Sequence, residues 1–306
     1  MQHLLHIPRD WRRPDCPESW DLWWSEAAQF GAIHPRPGPA QIAAAYDVER
    51  YYTHQAPPRT PRPGWPARLA AALAARLDHG LEPDAAFWRR TVPSHARHAV
   101  ELGCGNGDRM VQLAPYLSEI VGMEPDPKAA AVARAKGLEV LDGTAEALPP
   151  ELAARRFDFV LFTHVLEHCL DPMLALRNAA GLLADDGVLM LETPNNHAKG
   201  FRRYGASWRW VDVPRHLNFF TESSLRACAR AAGLVVVRSE YWGYCRQFLP
   251  DWIAEQALIE ARLSDDASAT PRIRAWEWRA LDMLARTAFA APARKYDSVR
   301  LICRRG

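Results

Sequence analysis

Residues 99–107, Ala-Val-Glu-Leu-Gly-Cys-Gly-Asn-Gly, constrain this chain more than any other stretch. A hydrophobic strand runs directly into three alternating glycines, and Gly103, Gly105 and Gly107 permit backbone conformations and close ligand approach that a Cβ would block. The helix that starts from Asp108 points its amide end at the same place. Such a strand, loop and helix make a floor for a nucleoside cofactor, and the G-x-G-x-G spacing differs from the G-x-G-x-x-G of dinucleotide folds. A lone glycine triplet is weak, so its meaning rests on whether matching segments occur downstream at the right distances.

Three such segments occur. Ile120-Val121-Gly122-Met123-Glu124 reads as a second strand ending in a carboxylate about twenty residues on, where an acid accepts hydrogen bonds from ribose hydroxyls. Leu138–Leu141 reads as a third strand, with the loop 142–149 placed to cover an adenine. Phe157–Phe162 supplies a fourth strand, Gly187–Glu192 a fifth, Leu234–Arg238 a sixth and Ser298–Cys303 a last one. Helices are expected at 108–117, 127–136, 172–183 and 222–232. Alternation of strand and helix calls for a parallel sheet covered on both faces.

This series resembles the class I S-adenosylmethionine-dependent methyltransferases, in particular the small-molecule group of the quinone-pathway O-methyltransferases. The resemblance covers roughly residues 96–243 and resumes at 298–303. It implies an α/β, Rossmann-like, seven-stranded, mostly parallel sheet (the class I methyltransferase fold), with an N-terminal cap and a helical insertion before the last strand. It implies S-adenosylmethionine as cofactor, held by Glu101, Gly103, Cys104, Gly105, Asn106, Gly107, Glu124, Pro125, Thr144, Ala145, Glu146 and His164. Many relatives carry Asp in the adenine loop where this chain has Thr144, which leaves the backbone amides of Ala145 and Glu146 to serve.

The 306 residues suit one catalytic domain with additions. We divide them into a cap or arm at 1–95, rich in Pro and Trp, and a cofactor-binding domain at 96–306 with a helical insertion at about 245–295. Pro66–Leu77 reads as an Ala-rich helix, and 248–263 and 272–290 have helical periodicity. An interface for a homodimer is the competing reading of the insertion. In the cap, Tyr51 and Tyr52 are the pair expected to meet substrate. Relatives often place a cysteine-rich knuckle there, but only Cys16 remains, so no zinc site is expected.

With 38 basic and 36 acidic residues, charge makes no case for nucleic acid or membrane binding. No Asp/Asn-Pro-Pro-aromatic sequence comes after the fourth strand, as it does in DNA-methylating enzymes. Six scattered Cys without a C-x-x-C pair fit reduced thiols in a cytoplasmic protein, and neither a signal peptide nor a membrane-length apolar run is present.

His164-Val165-Leu166-Glu167-His168 matches H-x-x-E-H, a zinc-protease pattern, but it sits where the fourth strand meets its helix. The resemblance implies a divalent-metal site at His164, Glu167 and His168 in some relatives, which have Glu in place of His164. That change weakens a hard-cation site, so no metal is expected and a structural role for Glu167 and His168 is preferred.

After the fifth strand, Tyr204, Trp208, Trp210 and Pro214-Arg215-His216-Leu217 mark the expected substrate pocket, because ligands bind beyond the carboxyl ends of parallel strands. Trp208, Trp210 and His168 are the expected substrate contacts. His216 is the candidate general base, Arg215 a fork for an anionic group and Tyr204 a catalytic companion; bonding within the loop is the competing reading for Arg215 and His216. The acceptor implied is a small molecule, first through a hydroxyl, next through an amine. Two other classes stay open: non-methylating chemistry of the cofactor (cyclisation or aminocarboxypropyl transfer), and a silent cofactor-binding partner subunit.

Overall fold

The computed structural model describes residues 1–47, 62–78, 84–266 and 269–306. Eleven strands run in chain order: β1 Gln2–Ile7, β2 Trp20–Ser25, β3 Phe30–His34, β4 His98–Leu102, β5 Glu119–Glu124, β6 Glu139–Asp142, β7 Phe157–Thr163, β8 Leu183–Pro194, β9 Asn218–Phe220, β10 Leu234–Trp242 and β11 Ser298–Arg305. Seven of them form the main sheet in the order β10-β11-β8-β7-β4-β5-β6, all parallel except β11, which runs antiparallel to both neighbours. This is the expected class I arrangement. Strand order reverses at β4, where the helices leave to opposite faces, so a crevice opens beyond the strand ends.

Local chemistry accounts for the helix starts. Asp126, Asp171 and Thr221 each accept a backbone N–H of the helix they precede, beginning Pro127–Ala135, Pro172–Gly181 and Glu222–Ala231. β7 is buried along nearly its whole length, as a central parallel strand covered on both faces must be. One face packs around Leu102, Val160, Phe162, Leu176 and Leu225. The other packs around Phe87, Trp88, Phe159, Leu161 and Met190.

A second sheet, β1-β2-β3-β9, is antiparallel throughout. Its alternation is plain in β2, where Trp20, Leu22 and Trp24 point inward and Asp21, Trp23 and Ser25 lie at the rim. The sheet closes on Phe201, Trp208, Val211 and Phe219 from the segment after β8. The sequence pattern did not announce these strands.

The stretch read as one cap, 1–95, splits in three. β1–β3 and the helix Pro39–Tyr46 form the cap. The helix Trp65–Leu77 turns its small face (Ala67, Ala70, Ala74) onto the helices Pro250–Leu263 and Ile273–Thr287, and Ala85–Thr91 packs under the main sheet. The reason is periodicity: a stripe of alanines at i, i+3, i+7 buries best against another helix. Among the described residues no helix is long and apolar enough to cross a membrane.

Candidate functional site

The loop after β4 is held from beneath. Gly103 N–H and Cys104 N–H donate to Met123 O at 2.7 and 3.1 Å, and Gly103 takes φ +70°. A Cβ there would overlap the Val165 side chain, so close approach and left-handed backbone both require glycine. Gly105 N–H donates to Glu124 Oε2 at 2.7 Å, and Asp126 N–H to Glu124 Oε1 at 3.0 Å. Gly107, also left-handed, starts the helix Asp108–Leu113. The Cys104 thiol turns inward against Gly122, and burial pushes its pKa up. Asn106 caps Asp108 N–H at 3.2 Å.

Beyond the strand ends lies a cavity of about 700 Å³. Gly103, Gly105, Glu124, Pro125, Thr144, Ala145, Glu146, His164 and His168 line it, so nine of the sequence-selected positions meet around one cavity; Glu101, Cys104, Asn106 and Gly107 build the loop behind the glycines. Ala145 O and Glu146 O are held by Asn178 Nδ2, and Glu146 Oε1 accepts Leu170 N–H. The opposite wall is apolar, with Pro39, Ile42 and Ala43 from the cap helix facing Val165 and Leu170.

Glu101 sits buried behind the glycines, 3.5 Å from Arg109. Burial pushes its carboxyl up to about 7, with Glu124 adding and Arg109 opposing. Its Oε2 has no hydrogen-bond partner.

His164, the residue after β7, has φ +56°, a left-handed conformation that costs a residue with a Cβ roughly 1–2 kcal/mol. Its backbone N–H donates to Glu192 O at 2.8 Å. Its ring stacks on Trp210 at 4.7 Å, and its two nitrogens face Glu167 at 3.3 Å and Glu192 at 2.8 Å. Burial favours the neutral ring, but the two carboxylates outweigh it and raise the His164 pKa. Glu192, missed by the sequence reading, pairs with Arg300 directly across the β8–β11 ladder at 2.7 Å. Burial opposes its charge, yet Arg300 and His164 hold it well below the usual carboxylate range. A carboxylate in the apolar run Val188–Leu191 and an arginine in Val299–Ile302 were the signal available.

His168 Nδ1 lies 3.1 Å from Arg215 O and 2.8 Å from the Tyr46 hydroxyl. A carbonyl oxygen only accepts, so this nitrogen carries the proton and Nε2 keeps the lone pair. His216 obeys the same rule: Nδ1 donates to Trp210 O at 2.8 Å, and its ring stands edge-on to His168 at 4.6 Å. Burial, with His168 adding, pulls His216 down to about 4. His216 therefore stands behind His168 rather than at the cavity wall.

Four other expectations meet different surroundings. Arg215 is fully buried, its guanidinium donating to Asp10 at 2.5 and 3.0 Å, Asp212 at 2.9 Å and Ala45 O at 2.9 Å; it clasps the cap to the loop and presents no fork to a ligand. Tyr204 donates to Arg279 O at 3.1 Å and packs on Trp276 in the helical layer, where burial raises its pKa. Trp208 is buried under the cap sheet against Gly200. Trp210 reaches the site only through the face it lays on His164, its indole N–H donating to Asp297 at 3.1 Å. All four are large, and they fill buried volume in the cap and the helical layer instead of facing the cavity. Tyr51 and Tyr52 lie outside the described residues; Tyr46, on the helix just before them, is the tyrosine that meets His168.

Against known proteins, a family model described as a methyltransferase domain matches residues 65–239. The chain belongs to the methyltransferase-domain family. It is an S-adenosylmethionine-dependent methyltransferase of class I fold. It is 31% identical over 175 residues to a ubiquinone biosynthesis O-methyltransferase of Cereibacter sphaeroides, covering 52% of this chain and 70% of that one. It is 32% identical over 157 residues to the Azorhizobium caulinodans protein of that name, covering 47% and 61%. Among solved structures it resembles a complex of the Haloferax volcanii Trm112 methyltransferase activator with a methyltransferase, at TM-score 0.50 and 15% identity, over 80% of this chain and 99% of that one; this likeness speaks to fold alone.

Proposed function

We propose that this methyltransferase acts on a hydroxyl of a small molecule, with an amine as the next choice of acceptor. The observation that carries the reading is the two-sided cavity: a glycine-floored, carboxylate-bearing wall at one side and an apolar cap wall with an imidazole at the other. The curated relatives that share this sequence pattern are named O-methyltransferases, which supports oxygen over nitrogen.

The cradle fits S-adenosylmethionine, since Gly103 and Gly105 line the cavity without side chains and the Glu124 carboxylate, at the end of β5, lines it beside them where ribose hydroxyls would donate. Gly103 and Gly105 let the ligand lie against bare backbone. Thr144, Ala145 and Glu146 would flank the adenine, and Glu101 would answer the cationic amino-acid end. When bound, the cofactor supplies an activated methyl group, so the chain's contribution is mainly alignment and exclusion of water. Pro39, Ile42 and Leu170 exclude water from the acceptor side. Arg215 O fixes the His168 tautomer that offers Nε2 as a proton acceptor, and the Tyr46 hydroxyl holds the same ring.

The test is mass spectrometry of the full chain with methyl-labelled S-adenosylmethionine and a panel of phenols, sugars and amines, with Glu124→Ala as control. A labelled methyl ether that disappears in the control is expected. Methylation confined to amines, or no product from any hydroxyl, would overturn the reading.

A further inference from the structure

The turn after β7 is tied to β9 through its backbone carbonyls. Leu217 N–H donates to Glu167 O at 2.7 Å and Asn218 Nδ2 to Cys169 O at 2.7 Å. One cation completes the set. Arg36, between β3 and the cap helix, gives Nη1–H bonds to Leu217 O at 3.0 Å and Asn218 Oδ1 at 3.1 Å, and Nη2–H bonds to Cys169 O at 3.3 Å and Leu170 O at 2.8 Å. The side chain is half-buried, burial works against its charge, and among the described residues no carboxylate pairs with it. Four neutral oxygens are what this guanidinium answers.

We propose that Arg36 is a positioning residue for methyl transfer, fixing the turn 166–170 so that His168 and Leu170 face the acceptor. The proposal rests on the reading of that wall as the acceptor side. The two turn carbonyls that Arg36 holds belong to Cys169 and Leu170, and both residues line the cavity together with His168 and Asp171. Leu170 is gripped at both peptide ends, its N–H by Glu146 Oε1 at 2.8 Å and its carbonyl by Arg36, which sets it between the loop after β6 and the cap.

Loss of the guanidinium is unequal in its effects. Cys169 O keeps Asn218 Nδ2 and Leu217 O keeps Ile33 N–H, whereas Leu170 O loses its donor and turns to water. The turn is therefore released on the side that lines the cavity. The cap stays seated through the β3–β9 ladder and the Arg215 clasp. A planar fork is what the geometry uses, since two N–H groups on each terminal nitrogen reach oxygens of two separate elements, and a lysine ammonium has three donors on a single atom.

The test reads the turn without any acceptor. Cys169 lines the cavity yet is only 4% exposed, so its alkylation by iodoacetamide reports opening of the turn, while the buried Cys104 and Cys303 report opening of the main sheet. The full chain saturated with S-adenosylhomocysteine is labelled as wild type, Arg36→Met and Arg36→Lys, and each cysteine is followed by peptide mass spectrometry. Cys169 labelling should quicken about tenfold or more in both variants, with Cys104, Cys303 and S-adenosylhomocysteine affinity within about twofold of wild type. With the panel phenol that yields a labelled ether, the acceptor KM should rise about tenfold while kcat stays within about threefold, a split that a smaller folded fraction does not produce. Unchanged Cys169 labelling, a parallel rise at Cys104 and Cys303, wild-type labelling in Arg36→Lys, or an unchanged acceptor KM each refutes the proposal. A phenol panel that yields no ether refutes the hydroxyl reading instead, and the thiol rates then decide the role of Arg36 by themselves.

Discussion

The two walls of the cavity are built by different kinds of contact. The glycine wall comes from one continuous βαβ stretch, residues 98–149, in which each strand leads into the next loop and the hydrogen bonds span about twenty residues, as from Gly105 to Glu124. The acceptor wall is assembled from the cap helix Pro39–Tyr46 and the turn 164–170, backed by the segment 210–217 and tied by the Arg215 clasp on Asp10 and Ala45 O. Local backbone geometry makes the first wall, and long-range polar closure makes the second. Substitutions in the first should therefore strike cofactor affinity, and those in the second should strike stability or acceptor kinetics.

The largest effect is expected at Gly103. Gly103→Val places a branched side chain against Val165 at a left-handed backbone position, and S-adenosylhomocysteine binding by calorimetry should fall below detection while the helix content by circular dichroism persists. If binding survives, the glycine wall is not the cradle.

Next comes Arg215→Met, which strands Asp10 in the interior and leaves Asp212 to Arg12 and Trp11. Loss of one partner of a buried ion pair costs about 3–5 kcal/mol, so chemical denaturation should show a drop of that size. A drop below about 1 kcal/mol would mean that the clasp is not what closes the cap.

Glu101 separates the walls by pH. Its folded-state carboxyl titrates at about 7 against an ordinary 4.5, so the folded protein keeps this proton longer than the unfolded chain does. Its contribution thus favours folding least at high pH: stability should fall as pH rises from about 4.5 to 7, and Glu101→Gln should remove that part of the slope. Binding of a cationic ligand should in turn tighten across pH 7 with proton release, measurable by calorimetry in buffers of different ionisation heat. Absence of both signals would sink the assignment.

The smallest effect is expected for Tyr46→Phe. It removes one hydroxyl from His168 Nδ1, worth about 1 kcal/mol, and should raise the acceptor KM several-fold while cofactor affinity stays within twofold. A change in cofactor affinity of the same size would erase the division between the walls.

The sequence by itself determined the seven strands of the main sheet, the glycine turn after β4, the carboxylate that ends β5 and the loop after β6. These depend on interactions between near neighbours, where backbone freedom, strand periodicity and helix capping leave direct marks on residue type. Tertiary structure alone decided which side chains face the cavity. Trp208, Tyr204 and Arg215 carry the same residue types whether they line a pocket or fill a core. Their fate depended on the antiparallel cap sheet, whose last strand lies some two hundred residues from its first. The imidazole of His216 met Glu167 and His168 for the same reason: chain separation leaves no periodic trace, and only closure of the cap over the strand ends brings such groups within ångströms of one another.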